Sequence, residues 1–296
     1  MRILTIDVGG TAIKHALLEE TGKIIVQDAC TTPKDSLTDF LSTLKTLAEA
    51  YQNQFGNLAG AAFSFPGSVD EDLGVIHNIL ALPFLRGIPL LKKLSDTLGL
   101  PVTMENDANC AALGENWLGA AKGARDVCFV VCGTGVGGAL LHEGRVLHGR
   151  HFLCGEIGLM RLAPDGPLLN EAGSVGGLVQ RVAKEKGWPE NSLDGEKVFA
   201  MAEAGDTCAQ EQIAYMFRAL ALGLVNARYF YDPDLFLLGG AISSRPDFVP
   251  ALLEQVKAII AREPDLAVES VVIKACQHGN NANLLGAAKH FLQKHS

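Results

Sequence analysis

The sequence holds the same kind of glycine-threonine loop twice, and each copy lies between two short apolar segments. The first loop is Asp7-Val8-Gly9-Gly10-Thr11, and the second loop is Gly133-Thr134-Gly135-Val136-Gly137-Gly138. Glycine lets a backbone N–H group approach an anion closely and also permits a positive φ, while the threonine adds a hydroxyl donor. Either loop alone is equally well explained as an ordinary hairpin turn. Two loops with matching chemistry predict a pair of phosphate-binding loops.

This repeat predicts two related lobes. A strand, a loop and a second strand occur at the start of the chain and again near residue 130, and no low-complexity linker separates the halves. We expect a small lobe of residues 1–117 together with a C-terminal helix at 281–296, and a large lobe of residues 118–280. Strands and helices mixed in this order predict an α/β fold with a central sheet in each lobe.

Hydrophobic periodicity predicts the main elements. A hairpin of residues 2–6 and 12–18 surrounds the first loop, and a strand at 102–105 leads into a helix that begins at Asn106-Asp107. Further strands are predicted at 59–65, 127–132, 139–141, 235–238 and 271–274. Further helices are predicted at 36–55, 89–98, 174–186, 195–203, 209–229, 248–261 and 281–292.

Charge excludes two classes of partner. Lys and Arg total 25 against 33 acidic residues, so the net charge is −8, and no run of basic residues occurs. Proteins that bind a nucleic-acid backbone or an anionic membrane surface neutralise its phosphates with clustered Lys and Arg. We therefore expect neither nucleic acid nor membrane as a partner.

Two further features predict a cytoplasmic protein. Asp7 interrupts the N-terminal apolar segment where a signal peptide needs an unbroken core, and the uncharged segment at 127–141 contains four glycines and is too short to span a bilayer. The seven cysteines are odd in number, and none forms a CxxC or CxC pair. We expect reduced thiols rather than a disulfide framework or a structural zinc site.

The second loop also satisfies the dinucleotide-binding pattern G-x-G-x-x-G at Gly133, Gly135 and Gly138. That pattern requires a helix directly after the loop, with its N-terminus facing the pyrophosphate. Residues 139–146 instead predict a hairpin. No glycine is followed by Lys-Ser or Lys-Thr in the Walker spacing either. The sequence therefore favours neither a Rossmann site nor a P-loop.

Four motifs, in order along the whole chain, resemble those of the ROK family of repressors and sugar kinases. They are the two loops, Glu105-Asn106-Asp107-Ala108-Asn109 and Gly155-Glu156-Ile157-Gly158, and residues 238–243 and 281–287 continue the match. The resemblance implies an α/β, actin-like (ribonuclease H-like) two-lobed ATPase fold. It also implies a homodimeric kinase that uses ATP and Mg²⁺ to phosphorylate a small-molecule sugar, at the hydroxyl on C6.

Asp107 is the catalytic base that this resemblance implies. Phosphoryl transfer depends mainly on positioning and charge neutralisation, together with one carboxylate within reach of the attacking oxygen. Asp107 follows a predicted strand and begins a predicted helix, a position from which a carboxylate can face a cleft. A helix N-cap aspartate is the plainer explanation, and the flanking motifs favour catalysis over it.

The family pattern implies further site residues. The expected sugar ligands are Gly67, Asn106 and Glu156, together with Asp107. Asp7 is the expected magnesium ligand, because a hard carboxylate oxygen suits this ion. The residues expected at the nucleotide are Asp7, Gly9, Gly10, Thr11, Lys14, Gly133, Thr134, Gly135, Gly239 and Gly240.

The chain departs from many family members at two places. Leu159 stands where those members have a histidine, and residues 161–174 contain no cysteine, so we expect no zinc site. Ala81 stands where the family often has an asparagine. These changes resemble zinc-less β-glucoside kinases or N-acetylmannosamine kinases, the former more closely. Whether Asn170 or Glu171 contacts the sugar stays open, as do the sugar and its anomer.

Two other functions stand beside the kinase. ROK repressors carry a helix-turn-helix before the first loop, and with that loop beginning at Asp7 we expect no such domain. A sugar sensor without catalytic activity is the second alternative. Asp7, Asp107 and both loops favour the kinase over this sensor.

Overall fold

Two five-stranded sheets organise the chain in the computed structural model, which describes residues 1–189, 192–262 and 271–295. The first unit contains Met1–Gly123, Gly144–Leu153 and the C-terminal segment from Asn280. The second unit contains Ala124–Glu143 and Cys154–Gly279. The predicted lobe boundaries stay predictions. The units differ from them mainly in residues 144–153, which belong to the first unit.

Strands and helices are mixed along the described residues, as the predicted α/β class requires. The strands are β1 (Arg2–Val8), β2 (Ala12–Glu19), β3 (Ile24–Thr31), β4 (Gly60–Phe65), β5 (Val69–Asp70), β6 (Val75–Ile76), β7 (Val102–Asn106), β8 (Asp126–Cys132), β9 (Val136–His142), β10 (Arg145–Val146), β11 (Leu235–Gly239) and β12 (Ile273–Ala275). The α-helices are α1 (Leu37–Phe55), α2 (Leu90–Leu98), α3 (Asp107–Leu118), α4 (Leu169–Gly173), α5 (Val175–Lys186), α6 (Gly195–Glu203), α7 (Thr207–Tyr231), α8 (Phe248–Ile260) and α9 (Ala282–Lys294). None of the helices in the described ranges combines the length and the apolar character that a membrane span requires.

The sheet of the first unit has the strand order β3-β2-β1-β4-β7. Strands β1 and β2 are antiparallel, which confirms the predicted hairpin around the first loop, while β1, β4 and β7 are parallel. The carboxyl ends of parallel strands share one edge of a sheet, where open α/β sheets bind their ligands. The register places Asp7 beside Ser64, and Phe65 beside Asn106, at this edge.

Apolar side chains cover both faces of this sheet, because successive strand residues point to opposite sides. On β1, Leu4 belongs to a buried cluster that includes residues of α1 and α2, such as Phe40. Its neighbour Ile3 belongs to a second cluster, with residues of α3 and α9 such as Phe291. The alternation along the strand therefore fixes which helices cover which face.

The second unit repeats the arrangement around its own sheet. The sheet strands that belong to this unit lie in the order β9-β8-β11-β12. Strands β8 and β9 are antiparallel around the second loop, while β8, β11 and β12 are parallel. Leu235–Gly239 is buried throughout, as expected for a parallel strand covered by helices on both faces. A hairpin that carries a glycine-threonine loop and joins parallel strands is thus common to both units.

Helices α3 and α9 approach each other closely, and glycine makes this possible. Gly114 on α3 faces the carbonyl oxygen of Ala282, and Gly286 on α9 faces the carbonyl oxygen of Cys110. A Cβ atom at either glycine would overlap the backbone of the facing helix. Rotation of a side chain could not relieve this overlap. The C-terminal helix is thereby held against the helix that begins at Asp107.

We expect Gly286→Ala to lower the free energy of unfolding by about 1–3 kcal/mol, because the added methyl group overpacks a backbone contact. Helix propensity alone would favour alanine by about 1 kcal/mol, so a net loss isolates the steric effect. Urea unfolding followed by circular dichroism measures the change. The control is Gly133→Ala, since no atom lies within 4 Å of a Cβ built there. Equal stability of the two variants would contradict the close approach of α3 and α9.

Candidate active site

The carboxylate of Asp7 is fixed at the end of β1 by two donors. Ser64 Oγ donates to Asp7 Oδ1 at 2.7 Å, and Asn283 Nδ2 donates to the same oxygen at 3.0 Å. The Lys14 ammonium lies 4.0 Å from Asp7 Oδ2. Proteins usually bind Mg²⁺ through one or two carboxylates and several waters. An oriented carboxylate at the edge of the sheet fits that requirement.

The first loop is a tight turn in which glycine supplies space. Gly9 N–H donates to the Ala12 carbonyl at 3.0 Å, and Thr32 Oγ1 donates to the Gly9 carbonyl at 2.7 Å. A Cβ at Gly9 would lie 2.9 Å from the Ala12 carbonyl oxygen. Thr11, in the same turn, is exposed. Neither Gly9 nor Gly10 has a positive φ, so close approach of the backbone is what these glycines provide.

Asp107 is the first residue of α3, and two donors hold its carboxylate. Ala108 N–H donates to Asp107 Oδ1 at 2.9 Å, and Asn106 Nδ2 donates to the same oxygen at 3.0 Å. The N-cap of α3 is Asn106, whose Oδ1 accepts from Asn109 N–H at 3.0 Å. Helix capping is therefore performed by Asn106, and it does not explain why an aspartate stands at position 107.

A hydrogen bond joins the start of α3 to the turn that follows β4. Asn106 Nδ2 donates to the Gly67 carbonyl at 2.9 Å. Gly67 has a φ of +95°, and a Cβ there would overlap the carbonyl of Asn78, so only glycine suits this position. Three of the expected sugar ligands belong to the first unit and lie together, namely Gly67, Asn106 and Asp107.

The carboxylate of Glu105, next to this helix start, is fully buried. Glu105 Oε1 accepts from Asn106 N–H at 2.7 Å and from Asn109 Nδ2 at 2.9 Å. Glu105 Oε2 lies 2.7 Å from His148 Nε2 and 3.8 Å from His290 Nδ1. One glutamate thus connects the start of α3 with two histidines from distant parts of the chain.

Glu71 extends the same cluster. Its carboxylate lies 3.0 Å from His290 Nε2 and accepts from Lys294 Nζ at 2.8 Å. Burial alone would raise the pKa of Glu71, but the close contacts with His290 and Lys294 outweigh it and lower the pKa to about 2. Within the described ranges, one group of possible ligand atoms is close enough together for a metal ion, that of Glu71, Glu105 and His148. Lys294 already supplies a cation there, so ion pairing explains the group.

The second loop is held by an asparagine of α4. Gly133 N–H donates to the Gly135 carbonyl at 2.8 Å, and Thr134 between them is exposed. A Cβ at Gly135 would lie 2.5 Å from Asn170 Oδ1. That oxygen accepts from Val136 N–H at 2.7 Å. As in the first loop, neither glycine has a positive φ.

The same loop lies against the beginning of α5. Gly176 N–H donates to the Gly133 carbonyl at 3.2 Å. Ser174 caps the helix and accepts from Gly177 N–H at 2.9 Å. The N-terminal turn of a helix favours anions, because its N–H groups and its dipole both attract negative charge. The second loop therefore lies beside a helix N-terminus, a position of the kind that favours anions.

Gly239 and Gly240 end β11 beside the end of β8. Gly239 pairs with Val131 on β8. Gly240 has a φ of +89°, and a Cβ there would overlap the carbonyl of Cys132. Since the second loop begins at the next residue, Gly133, the structure brings this turn and the second loop to one edge of the second sheet.

Glu156 lies in a turn that packs on β9. Gly155 has a φ of +87°, and a Cβ there would lie 2.8 Å from Ala139 Cα. A Cβ at Gly158 would overlap the carbonyl of Val136. Burial raises the pKa of Glu156. A hydrogen-bond donor stabilises a partly desolvated carboxylate of this kind, because it replaces the water lost on burial.

The two residues left open by the sequence both have local partners. Asn170 holds the second loop, and Glu171 Oε2 accepts from Leu168 N–H at 3.0 Å at the start of α4. Leu159, in the position where many family members have a histidine, is 58% exposed. The expected lack of zinc stays a prediction.

Several supporting residues of these sites were not selected from the sequence. Ser64 and Asn283 hold Asp7, and Glu105 and His148 support the start of α3. Glu105 could have been found, because a charge at the end of a predicted strand requires a partner when it is buried. His148 lies in a segment without periodicity, which offers no such signal.

A family model and a relative of known name match almost the entire chain. The ROK family model matches residues 3–294. The β-glucoside kinase of Listeria monocytogenes serovar 1/2a is 33% identical over 301 residues, which cover 99% of this chain and 98% of that protein.

Solved structures give the same fold. A ROK family protein from Streptococcus pneumoniae TIGR4, in complex with sucrose, has a TM-score of 0.89 and 37% identity, with 100% of this chain and 99% of that chain covered. A ROK family glucokinase from Streptomyces griseus, in complex with glucose and AMPPNP, has a TM-score of 0.77 and 25% identity, with 98% and 99% covered. The predicted actin-like ATPase fold is confirmed.

We expect Glu71→Gln to reduce the sensitivity of the fold to acid. A carboxylate whose pKa is lowered on folding stabilises the protein above its unfolded pKa, and this stabilisation is lost as the pH falls towards the folded pKa. Between about pH 5 and pH 2, the wild type should therefore lose more unfolding free energy than Glu71→Gln, which has no carboxylate to protonate. Urea unfolding at a series of pH values measures both curves.

The control for this prediction is Glu49→Gln, which alters an exposed carboxylate 3.9 Å from Lys45. Exposed ion pairs contribute little to stability, so this variant should follow the wild-type curve. If Glu71→Gln followed it as well, Glu71 would not be bound to His290 and Lys294 as described.

Proposed function

This chain belongs to the ROK family, and from this membership and the geometry around Asp107 we propose that it is an ATP-dependent sugar kinase. It transfers the γ-phosphate of ATP to the hydroxyl on C6 of a hexose, a β-glucoside or a hexosamine. One observation carries the proposal. Asp107 holds the first position of α3, while its neighbour Asn106 both caps the helix and donates to the Asp107 carboxylate.

In the proposed reaction Asp107 is the general base. As the sugar hydroxyl oxygen bonds to the γ-phosphorus, its proton passes to the Asp107 carboxylate, the bond to the β-phosphate oxygen breaks, and ADP leaves. Ala108 N–H and Asn106 Nδ2 both bond Oδ1 and so restrict rotation of the carboxylate. This restriction supports the role, because a reacting group held in the right geometry lowers the barrier without new contacts.

The proposal assigns the sugar to Gly67, Asn106 and Glu156, besides Asp107. Gly67 forms the turn whose carbonyl accepts from Asn106 and so faces the same helix start. Asn106 has an amide that is already oriented by the Gly67 carbonyl. The Glu156 carboxylate, whose pKa burial raises, accepts a hydrogen bond from a sugar hydroxyl in place of water.

The proposal assigns the nucleotide to the two loops and to the Gly239-Gly240 turn. The second loop, at the beginning of α5, suits a phosphate group. In the first loop, Gly9 and Gly10 bring the backbone close and Thr11 offers a hydroxyl. Asp7 would hold Mg²⁺, with Lys14 beside it as a second positive charge. When bound, Mg²⁺ neutralises the charge that develops on the phosphate oxygens.

Among the possible sugars, β-glucosides are the first to test. The Listeria relative that is 33% identical is a β-glucoside kinase. In this chain Ala81 and Leu159 replace two polar residues of many family members, which fits a substrate other than plain glucose. The homodimer and the cytoplasmic location stay predictions.

We expect Asp107→Asn to lower kcat by about 100- to 10,000-fold, because an amide cannot accept the proton. Nucleotide affinity, measured by isothermal titration with MgADP, should stay at the wild-type value, since the loops are unchanged. The control is Asp96→Asn, an exposed aspartate paired with Lys92, which should keep wild-type turnover. Near-normal turnover by Asp107→Asn would remove Asp107 from the role of base.

A panel of sugars separates the kinase from a sugar sensor without activity. We expect ADP release in a coupled assay with at least one hexose, hexosamine or β-glucoside, with β-glucosides giving the highest kcat/KM. A thermal-shift screen of the same panel, with and without magnesium nucleotide, identifies sugars that bind. Sugars that bind without any ADP release would favour the sensor and contradict the kinase.

A further inference from the structure

We propose that His148 is a positioning residue for this reaction: it donates to the buried carboxylate of Glu105, and Glu105 in turn holds the helix start that carries Asp107. This inference rests on the proposed function, in which Asp107 is the base. It depends on a series of contacts that all lie within the first unit.

The first contact joins Glu105 to both sides of Asp107. Glu105 Oε1 accepts from the backbone N–H of Asn106, the residue before Asp107, and from the side-chain amide of Asn109, two residues after it. Asn106 also donates to Asp107 Oδ1 and to the Gly67 carbonyl. A shift of the Glu105 carboxylate therefore moves the groups that orient the Asp107 carboxylate.

The second contact joins His148 to Glu105. Glu105 has 0% exposure, and a charge so enclosed requires an opposite charge and hydrogen bonds. His148 Nε2, at 2.7 Å from Glu105 Oε2, provides both when the imidazole is protonated, while His290 Nδ1 is 3.8 Å away. Burial lowers the pKa of His148, but the hydrogen bond to Glu105 and the negative charge of Glu105 outweigh it, and the pKa is raised overall.

Packing holds the His148 ring in this position. The side chain is 21% exposed, and the ring of Phe152 lies 6.0 Å away between centroids. Phe152 itself has a φ of +56°, which is rare for a residue with a side chain and costs free energy unless the surroundings enforce it. The segment after β10 is therefore constrained to a form that directs His148 at Glu105.

Other charged groups around the pair do not replace His148. Glu71, with a pKa of about 2, remains an anion and is bound by Lys294 and His290. On α3 itself, burial and then the charge of Glu105 raise the pKa of the Cys110 thiol well above its usual value, so that the thiol stays neutral. His290 also faces Glu105, with its Nδ1 3.8 Å from Glu105 Oε2, and the test must separate it from His148.

The test compares His148→Leu with His148→Gln in the full chain, with MgATP and the sugar that gives the highest turnover. Leucine removes the donor, so we expect kcat to fall at least about tenfold through misplacement of Asp107, with a smaller change in KM for the sugar. Glutamine has an N–H donor on a side chain of similar reach, so we expect it to recover most of the wild-type kcat. Loss of kcat in both variants alike, or a loss confined to KM, would overturn the proposal.

Two controls fix the assignment to His148. His142→Leu removes a histidine that pairs with Asp126 in the second unit, and we expect wild-type kcat from it. His290→Leu removes the second histidine near Glu105, and its loss of kcat should be smaller than that of His148→Leu. The opposite order would assign the role to His290 and overturn the proposal.

Hydrogen exchange tests the same idea without turnover. The N–H groups of Asn106 and Asn109 are bound by side-chain acceptors, and we expect His148→Leu, but not His148→Gln, to increase their exchange rates. If the wild type turns over none of the sugars, the proposed function is contradicted. The exchange measurement then still tests the contact between His148 and Glu105. If the wild type is active and His148→Leu changes neither kcat nor the exchange rates, this inference alone is overturned.

Discussion

Strand β7 passes into helix α3 without a connecting loop, because Asn106 is both the last residue of the strand and the N-cap of the helix. Beside this junction the carboxylate of Glu105 is enclosed by protein. A carboxylate removed from water is stable only where hydrogen bonds and a positive charge replace the water. The N–H of Asn106, the amide of Asn109 and the ring of His148 fulfil this requirement. The position of Asp107 therefore depends on how one buried charge is satisfied.

Both units place their candidate binding groups at the carboxyl ends of parallel strands, and both use glycine there in two ways. In the two loops glycine leaves room for a close neighbour, as at Gly9 and Gly135, where a Cβ atom would lie 2.9 and 2.5 Å from an oxygen atom. At the turns after β4 and β11 glycine also provides a positive φ, with values of +95° at Gly67 and +89° at Gly240. The chemistry of the loops and the geometry of the turns thus come from the same residue type for different physical reasons.

Features set by neighbours along the chain could be predicted from the sequence, whereas those set by distant packing could not. The hairpin around the first loop and the strand-to-helix junction at Asn106 follow from local pattern. Strand β3 is largely exposed and α4 has five residues, so neither has a clear periodicity. The bond from Asn283 to Asp7 joins positions 276 apart, and that from His148 to Glu105 joins positions 43 apart. Such pairs depend on where α9 and the segment after β10 pack, which no local pattern encodes.

The role of Asp107 as the base that accepts the hydroxyl proton is tested most directly by a crystal structure with a phosphorylatable sugar and a non-hydrolysable ATP analogue. We predict that one sugar hydroxyl oxygen lies within about 3.2 Å of an Asp107 carboxylate oxygen. A sugar bound with all of its hydroxyl groups beyond hydrogen-bonding distance of Asp107, in a crystal of protein that is active on that sugar, would contradict this role.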